Sequence, residues 1–305
     1  MDLPAGVAAV LPIAVGAPGA VFLHFVAALL VGRGTPGKVA AVGASVLAFG
    51  WAFFCRGNGG PGAAFLFLGV LLLSMRLVDV ISREPQPLAD RLALQMLVLD
   101  PRDLKPMAST LDLRRLARLA GLLAVGVPVG LSLFRIPESG AWWALRWGLG
   151  MLFTYIGLDV IGSAFCLAFA LGGMRAIPLQ DRPELSRSIA EFWGKRWNRE
   201  VGNWLHRWCF RPLARRGHAM LGMFAAFAYS GFFHAAAIAA GIGLRAGAPM
   251  FAFFLVHGLL VGAERALRVG RWPRWAGHLW TVSWFLVTSP LFIQPALEVV
   301  GMRPG

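Results

Sequence analysis

The sequence predicts an all-α integral membrane protein with about eight transmembrane helices and an additional amphipathic or re-entrant cytosolic helix. Three observations carry that expectation. Of 305 residues, 57% are hydrophobic and only 14% charged, against roughly 25% charged in soluble domains, and the mean hydropathy is +0.65. The apolar residues are gathered into runs near the ~20 residues needed to cross a bilayer. The basic residues, in turn, collect in alternate connections between those runs.

The first run, 5–31, follows Met1-Asp2-Leu3 without a basic leader and is too long for a signal-peptide core, so it reads as the first span. Further spans are expected at 39–55, 62–82, 117–134, 142–173, 219–244, 248–267 and 276–300. The segment 88–99 is apolar but too short to cross, and is expected to lie on the surface or re-enter. No internal repeat or low-complexity tract interrupts the pattern, and a single membrane-embedded domain over 1–305 accounts for it. With the N-terminus outside, the inside connections and their flanks hold 23 of the 29 basic residues and the outside ones five. That asymmetry places the two large polar loops, 83–116 and 174–218, in the cytosol.

The same distribution accounts for the net charge of +14 without nucleic acid, and leaves membrane lipids as the natural contact of the basic loops. The Ala-, Gly- and Arg-rich composition points to a bacterial cytoplasmic membrane. Cys55, Cys166 and Cys209 form no CxxC pair and read as small buried hydrophobes. The six histidines show neither HxxH nor HxxxH spacing, so no metal site is expected. No GxSxG nucleophile elbow is present either.

Loop 174–218 is the largest polar connection. A helix is expected to begin after Pro183-Glu184-Leu185-Ser186, capped by Ser186 or Ser188. Phe192, Trp197, Trp204 and Trp208 then recur at spacings of four to seven, as on the buried face of an interfacial amphipathic helix. Asn198 is out of place there, being a poor helix former between Trp197 and Arg199. Beyond the loop, His234 lies inside an apolar run, four residues after Ser230 and on the same helical face. Gly231 and the alanines after His234 leave room for a bulky ligand or a close helix partner. His257 and Glu264, seven apart, share one helical stripe, with Glu264 expected to pair with Arg265 or Arg268. Arg76 and Asp79 are three apart and neutralise each other, whereas Asp159 has no local partner. Ionisable groups at such depth mark function by default. They support either an enzyme built around His234 or a transporter or lipid flippase using Arg76, Asp79 and Asp159.

Four segments resemble one family in order and spacing. Ser188-Ile-Ala-Glu-Phe-Trp-Gly-Lys-Arg-Trp-Asn198 is similar to the S-x-x-x-F-W-G-R-R-W-N pattern of the wax-synthase branch of the membrane-bound O-acyltransferases. Tyr229-Ser-Gly-Phe-Phe-His234 resembles its S-G-x-x-H, and Phe254-Leu-Val-His-Gly258 through Glu264 its F-x-x-H-G…E. Ser289-Pro-Leu-Phe-Ile-Gln-Pro295 resembles its closing segment. The resemblance covers about 185–300, and residues 1–170 contribute only hydropathy.

The resemblance implies transfer of an acyl group from a thioester, acyl-CoA, to the hydroxyl of a hydrophobic alcohol in the membrane. Acyl-CoA would be a co-substrate, with no cofactor and no covalent acyl-enzyme. His234 and Asn198 match the family's two catalytic positions, the first as general base and the second holding a substrate polar group or the developing oxyanion. Lys195, Arg196 and Arg199 would meet the donor's phosphates, and Trp193, Trp197, Ser230, His257 and Glu264 complete the expected substrate-binding set. Relatives commonly carry Glu after the histidine where this chain has Ala235. Orientation of His234 would then fall to Ser230, Glu264 or a water.

Overall fold

In the computed structural model, residues 5–55, 59–83, 87–96, 104–107, 112–137 and 142–302 are described, with side chains from residue 14 onward. The helices are α1 (Ala5–Val31), α2 (Gly34–Cys55), α3 (Pro61–Ile81), α4 (Leu88–Met96), α5 (Leu113–Leu133) and α6 (Trp143–Leu171), then three short ones, α7 (Ile189–Glu191), α8 (Arg199–Leu205) and α9 (Arg211–Ala214), and finally α10 (Ala219–Ile242), α11 (Leu244–Ala266) and α12 (Arg274–Val299). Eight of them are long and apolar enough to span a bilayer, and they coincide with the expected runs to within a few residues at each end. The protein is an all-α integral membrane protein. Extended structure among the described residues is one two-residue pairing, Lys105–Pro106 against Met174–Arg175.

The chain forms two compact units. One comprises the described residues of 1–101 with 232–248 and 299–301. Here α1, α2 and α3 bury small and branched residues, Ala27, Ala41 and Ala44 against Leu77 and Val80. Ala20, Ala48 and Ala52 likewise face Leu66 and Val70. Small side chains let helix backbones approach closely where lipid supplies no hydrophobic drive. The short segment read as surface-lying or re-entrant is α4, which docks on this bundle through the buried Leu94. Gln95 Nε2 donates to the Leu73 carbonyl at 2.7 Å, and Arg91 donates to Ala28 O at 3.2 Å near the carbonyl end of α1; residues 97–99 lie outside the described set.

A polar cluster joins three helices of this unit. His24 is fully buried and its Nδ1 lies 2.9 Å from the Ala20 carbonyl, so Nδ1 carries the proton and Nε2 is left as an acceptor. Ser74 sits 3.3 Å from Nε2 and Ser45 3.4 Å, and the two hydroxyls are 2.9 Å apart. Arg76 and Asp79 pair at 3.3 Å as expected, both buried.

The second unit comprises the described residues of 102–231, 249–298 and 302. Its α5 begins at Asp112, whose carboxylate accepts from Arg115 N at 3.0 Å. Arg146, within the span expected at 142–173, lies inside α6 and is 1% exposed. It donates to the Leu133 and Met302 carbonyls and, at 3.3 Å, to Ile136 O. The exposed carbonyls at a helix end give a guanidinium a reason to be buried there.

Asp159, expected to lack a local partner, has a distant one. It is 4% exposed and pairs with Arg118 of the preceding span. Sequence proximity could not show this partner, 41 residues away. Arg118→Ala should strand the buried carboxylate and destabilise the protein by about 3 kcal/mol. The check is the thermal unfolding midpoint in detergent against Arg118→Lys.

Candidate active site

The polar segment after α6 is built by giving partners to the leading amides of a short, distorted helix. Ser188 is the N-cap of α7 and its Oγ accepts from Glu191 N at 2.9 Å. Glu191 reaches back to accept from Arg187 N at 2.9 Å, a variant of the reciprocal capping box. The amides of Ile189 and Ala190 have no acceptor within the turn, and Glu264 of α11 supplies it at 2.6 and 2.9 Å. Glu264 also accepts from the Trp280 indole at 2.9 Å. Its partners are therefore helix-end amides and an indole, not Arg265 or Arg268.

Phe192–Arg196 continues α7 as a π-helical turn, closed by Trp197 N donating to Phe192 O at 2.8 Å. Such single π-turns are rare and concentrate at functional sites. The single amphipathic helix expected here is thus broken. Trp197 is extended, and Asn198 adopts φ 38°, ψ 61° before α8 begins. Asparagine is among the few residues that tolerate this left-handed conformation, which is why a poor helix former stands between Trp197 and Arg199. A preceding strip of chain laces the break in place. Arg199 N donates to Leu179 O at 2.8 Å and Asp181 N to Arg196 O at 2.9 Å.

Asn198 caps α8, its side-chain oxygen accepting from Val201 N at 3.5 Å. With the oxygen committed to that amide, the NH2 is the part left for a ligand, and it is a donor. The half-buried Asn198 therefore suits a carbonyl oxygen or an oxyanion.

The basic residues of the motif divide. Arg196 is an internal strut: Nε donates to Glu191 Oε1 at 2.8 Å and NH1 to the carbonyls of Asp181 and Arg182 at 3.1 and 3.2 Å. Lys195 is exposed and Arg199 half-buried. Burial alone would push the Glu191 carboxyl up, but the Arg187 amide and the Arg196 and Arg187 guanidiniums together hold it below its ordinary value. A depressed folded value stabilises above the unfolded carboxylate pKa and is lost as pH falls through the folded one. The unfolding midpoint should therefore drop on acidification below about pH 4.3, and Glu191→Gln should flatten that part of the profile.

Trp193 lies in a nest of rings from Phe192, Trp197, Phe227, Phe253, Phe254 and Phe285, with centroids 5.1–6.4 Å away. Its indole N–H donates to His257 Nδ1 at 2.9 Å. An indole can only donate, so Nδ1 is unprotonated and the His257 proton sits on Nε2. That N–H donates to Thr288 Oγ1 at 2.9 Å, and the hydroxyl passes its own proton to Trp284 O at 2.7 Å. His257 is fully buried with both nitrogens committed.

His234 lies on α10 in the first unit, half-buried, one turn after Ser230. The small residues around it serve close helix approach. A Cβ on Gly231 would stand 3.0 Å from Phe254 Cβ, and one on Gly247 2.6 Å from Ala235 O. Gly231→Leu is accordingly expected to destabilise by about 1–3 kcal/mol through overpacking, read as a lower unfolding midpoint. Glu264 is committed to amides and Trp280 and does not orient His234. Cys209, in a second π-turn at His206–Phe210, is pushed up to about 11 by burial, so it stays a thiol and is no candidate nucleophile.

The motif turn gathers Trp193, Arg196, Trp197, Asn198, His257 and Glu264, with Lys195 and Arg199 at its edge. Sequence reading missed Trp280, Thr288 and the Leu179–Asp181 lace, none of which carries a local signal. Glu191 had one, the Ser-x-x-Glu spacing of a capping box.

These features define an integral membrane protein with a rigid polar turn inset among its apolar helices. Residues 177–256 match the model of the membrane bound O-acyl transferase family. The chain is 28% identical over 154 residues to acyl-CoA–sterol O-acyltransferase 1 of Arabidopsis thaliana, covering 46% of this chain and 45% of the relative. It is 33% identical over 147 residues to the probable long-chain-alcohol O-fatty-acyltransferase 3 of the same plant, covering 43% of each. It is 26% identical over 179 residues to the acetyltransferase aurG of Calcarisporium arbuscula, covering 50% of this chain and 42% of the relative. The chain thus spans about half the length of the curated relatives it matches. The resemblance read from the motifs is borne out: the chain is similar to the membrane-bound O-acyltransferases and, among them, to long-chain-alcohol O-fatty-acyltransferases. The ion pairs of Arg76, Asp79 and Asp159 favour no transport path.

Proposed function

We propose that the protein is a membrane O-acyltransferase that moves an acyl group from acyl-CoA to the hydroxyl of a hydrophobic alcohol, acting as one membrane-embedded domain. The observation that carries this reading is Asn198, held left-handed at the break in the FWGKRWN segment with its NH2 left for a substrate oxygen. In the reaction, His234 takes the hydroxyl proton as the alcohol oxygen bonds to the thioester carbonyl carbon. The negative oxygen that develops is the group Asn198 stabilises. Collapse breaks the C–S bond, and the departing thiolate takes the proton back from His234. Lys195 and Arg199 are the motif cations best placed for the donor's phosphates, since Arg196 is spent on Glu191 and two carbonyls. Trp197, stacked on Phe192 with centroids 5.2 Å apart, supplies an apolar wall for the acyl chain, and Ser230 orients His234.

The relatives' names span sterols, long-chain alcohols and acetyl transfer, so the acceptor is settled by assay. Purified protein in nanodiscs would be given labelled acetyl-CoA or palmitoyl-CoA with a long-chain alcohol, a sterol and a terpenoid alcohol. Ester from wild type and none from Asn198→Ala or His234→Ala is the expected result; thioester left intact with every acceptor would sink the reading. The charge asymmetry also supports an N-terminus outside and a cytosolic motif turn, and the Ala-, Gly- and Arg-rich composition supports a bacterial cytoplasmic membrane. Impermeant thiol labelling of cysteines introduced at Arg135 and Arg216, from either side of sealed vesicles, tests that orientation.

A further inference from the structure

Helix α11 carries two polar side chains seven residues apart, and both are spent on the segment that ends at Asn198. Two helical turns separate them by about 10.5 Å along the axis. Glu264 holds the first two amides of α7, Ile189 N at 2.6 Å and Ala190 N at 2.9 Å. His257 accepts the Trp193 indole N–H, with its own proton fixed by Thr288. Both are at most 5% exposed. Neither presents an unused polar atom: each His257 nitrogen has a partner, and the Glu264 carboxylate takes three N–H groups.

We propose that His257 and Glu264 are positioning residues, which clamp α7 and its π-turn to α11 at two points and so set the direction in which Asn198 presents its NH2. This inference rests on the proposed acyl transfer for its kinetic consequences. A π-turn closes on one i→i+5 bond, here Trp197 N to Phe192 O, and is intrinsically less favourable than continued α-helix. Asn198 sits in a left-handed conformation that L-residues reach only at a cost. One fixed point ahead of such a turn and one within it, with the Leu179–Asp181 lace behind, hold the unusual geometry against relaxation to a regular helix. A slip of the Trp193 anchor would swing Asn198, five residues on, off the reacting oxygen. Misplacement of about 1 Å costs on the order of 10²-fold in rate.

The test compares His257→Leu, His257→Gln, Glu264→Gln and Thr288→Val with wild type in nanodiscs. The first readout is hydrogen–deuterium exchange. His257→Leu and Glu264→Gln should speed exchange at the amides of 189–199 and leave α12 unchanged. The second is kinetic, with kcat falling about 10²-fold while KM for both substrates holds. His257→Gln should restore much of that loss, because its carboxamide can accept from Trp193 and donate to Thr288. If His257→Leu does not fold, Thr288→Val loosens the same chain more gently and should show both effects in milder form. Unchanged exchange at 189–199, or a raised KM with kcat intact, would overturn the proposal in favour of direct substrate contact. If wild type forms no ester, the proposed function fails alone and the exchange measurement still decides the clamp.

Discussion

Asn198→Asp should abolish ester formation, lowering kcat by about 10²–10³-fold, while leaving the fold intact. Asparagine does three jobs at this position: it accepts the left-handed backbone, its oxygen caps α8 at Val201 N, and its NH2 is left as a donor. Aspartate keeps the first two, since it tolerates φ > 0 and is as good an N-cap. It loses only the donor and adds a charge of the same sign as the developing oxyanion. Asn198→Gly makes the complementary separation. Glycine adopts the conformation freely and costs only a few tenths of a kcal/mol as a cap, yet has no side chain to donate. Asn198→Ala conflates these effects, with an added backbone penalty of about 1–2 kcal/mol. If Asn198 acts through its amide, all three variants are inactive, but only the alanine protein unfolds at markedly lower temperature. Activity in Asn198→Gly would show that the turn is needed merely as a shape.

Hydropathy was sufficient for the eight spans, because crossing a bilayer imposes a length and a composition that local sequence cannot disguise. The Arg76–Asp79 pair was legible for a similar reason, since its partners lie one helical turn apart. What failed was everything that depends on a partner far along the chain. Asp159 looked unpaired because Arg118 is 41 residues earlier, and Glu264 was matched to adjacent arginines when its real partners are 74 and 75 residues away. The burial of Arg146 near the start of its span has no reason until the helix-end carbonyls that accept from it are known. The motif turn sits between these cases. Asn198 announced itself as a residue the helix should not contain, but the left-handed break and the π-turn before it follow from Glu264, His257 and the Leu179–Asp181 lace acting together.

His234→Ala should lower kcat by about 10²–10⁴-fold, the usual range for a positioned general base, with little change in KM. Loss of rate alone does not separate a base from a residue that shapes its helix, since α10 packs through small residues that tolerate little change. The acidity of the acceptor does. A base contributes most when the attacking hydroxyl holds its proton tightly, and progressively less as the alcohol becomes more acidic. Fluorination beside the hydroxyl of a long-chain acceptor should therefore shrink the His234→Ala deficit by an order of magnitude or more on that argument. The Asn198→Asp deficit concerns the acyl carbonyl oxygen and should persist across the same series. His234→Gln, which can hydrogen-bond to the hydroxyl without taking its proton at neutral pH, should follow alanine. A deficit for His234→Ala that stays constant from the weakest to the most acidic alcohol would remove the residue from proton transfer, whatever its effect on rate.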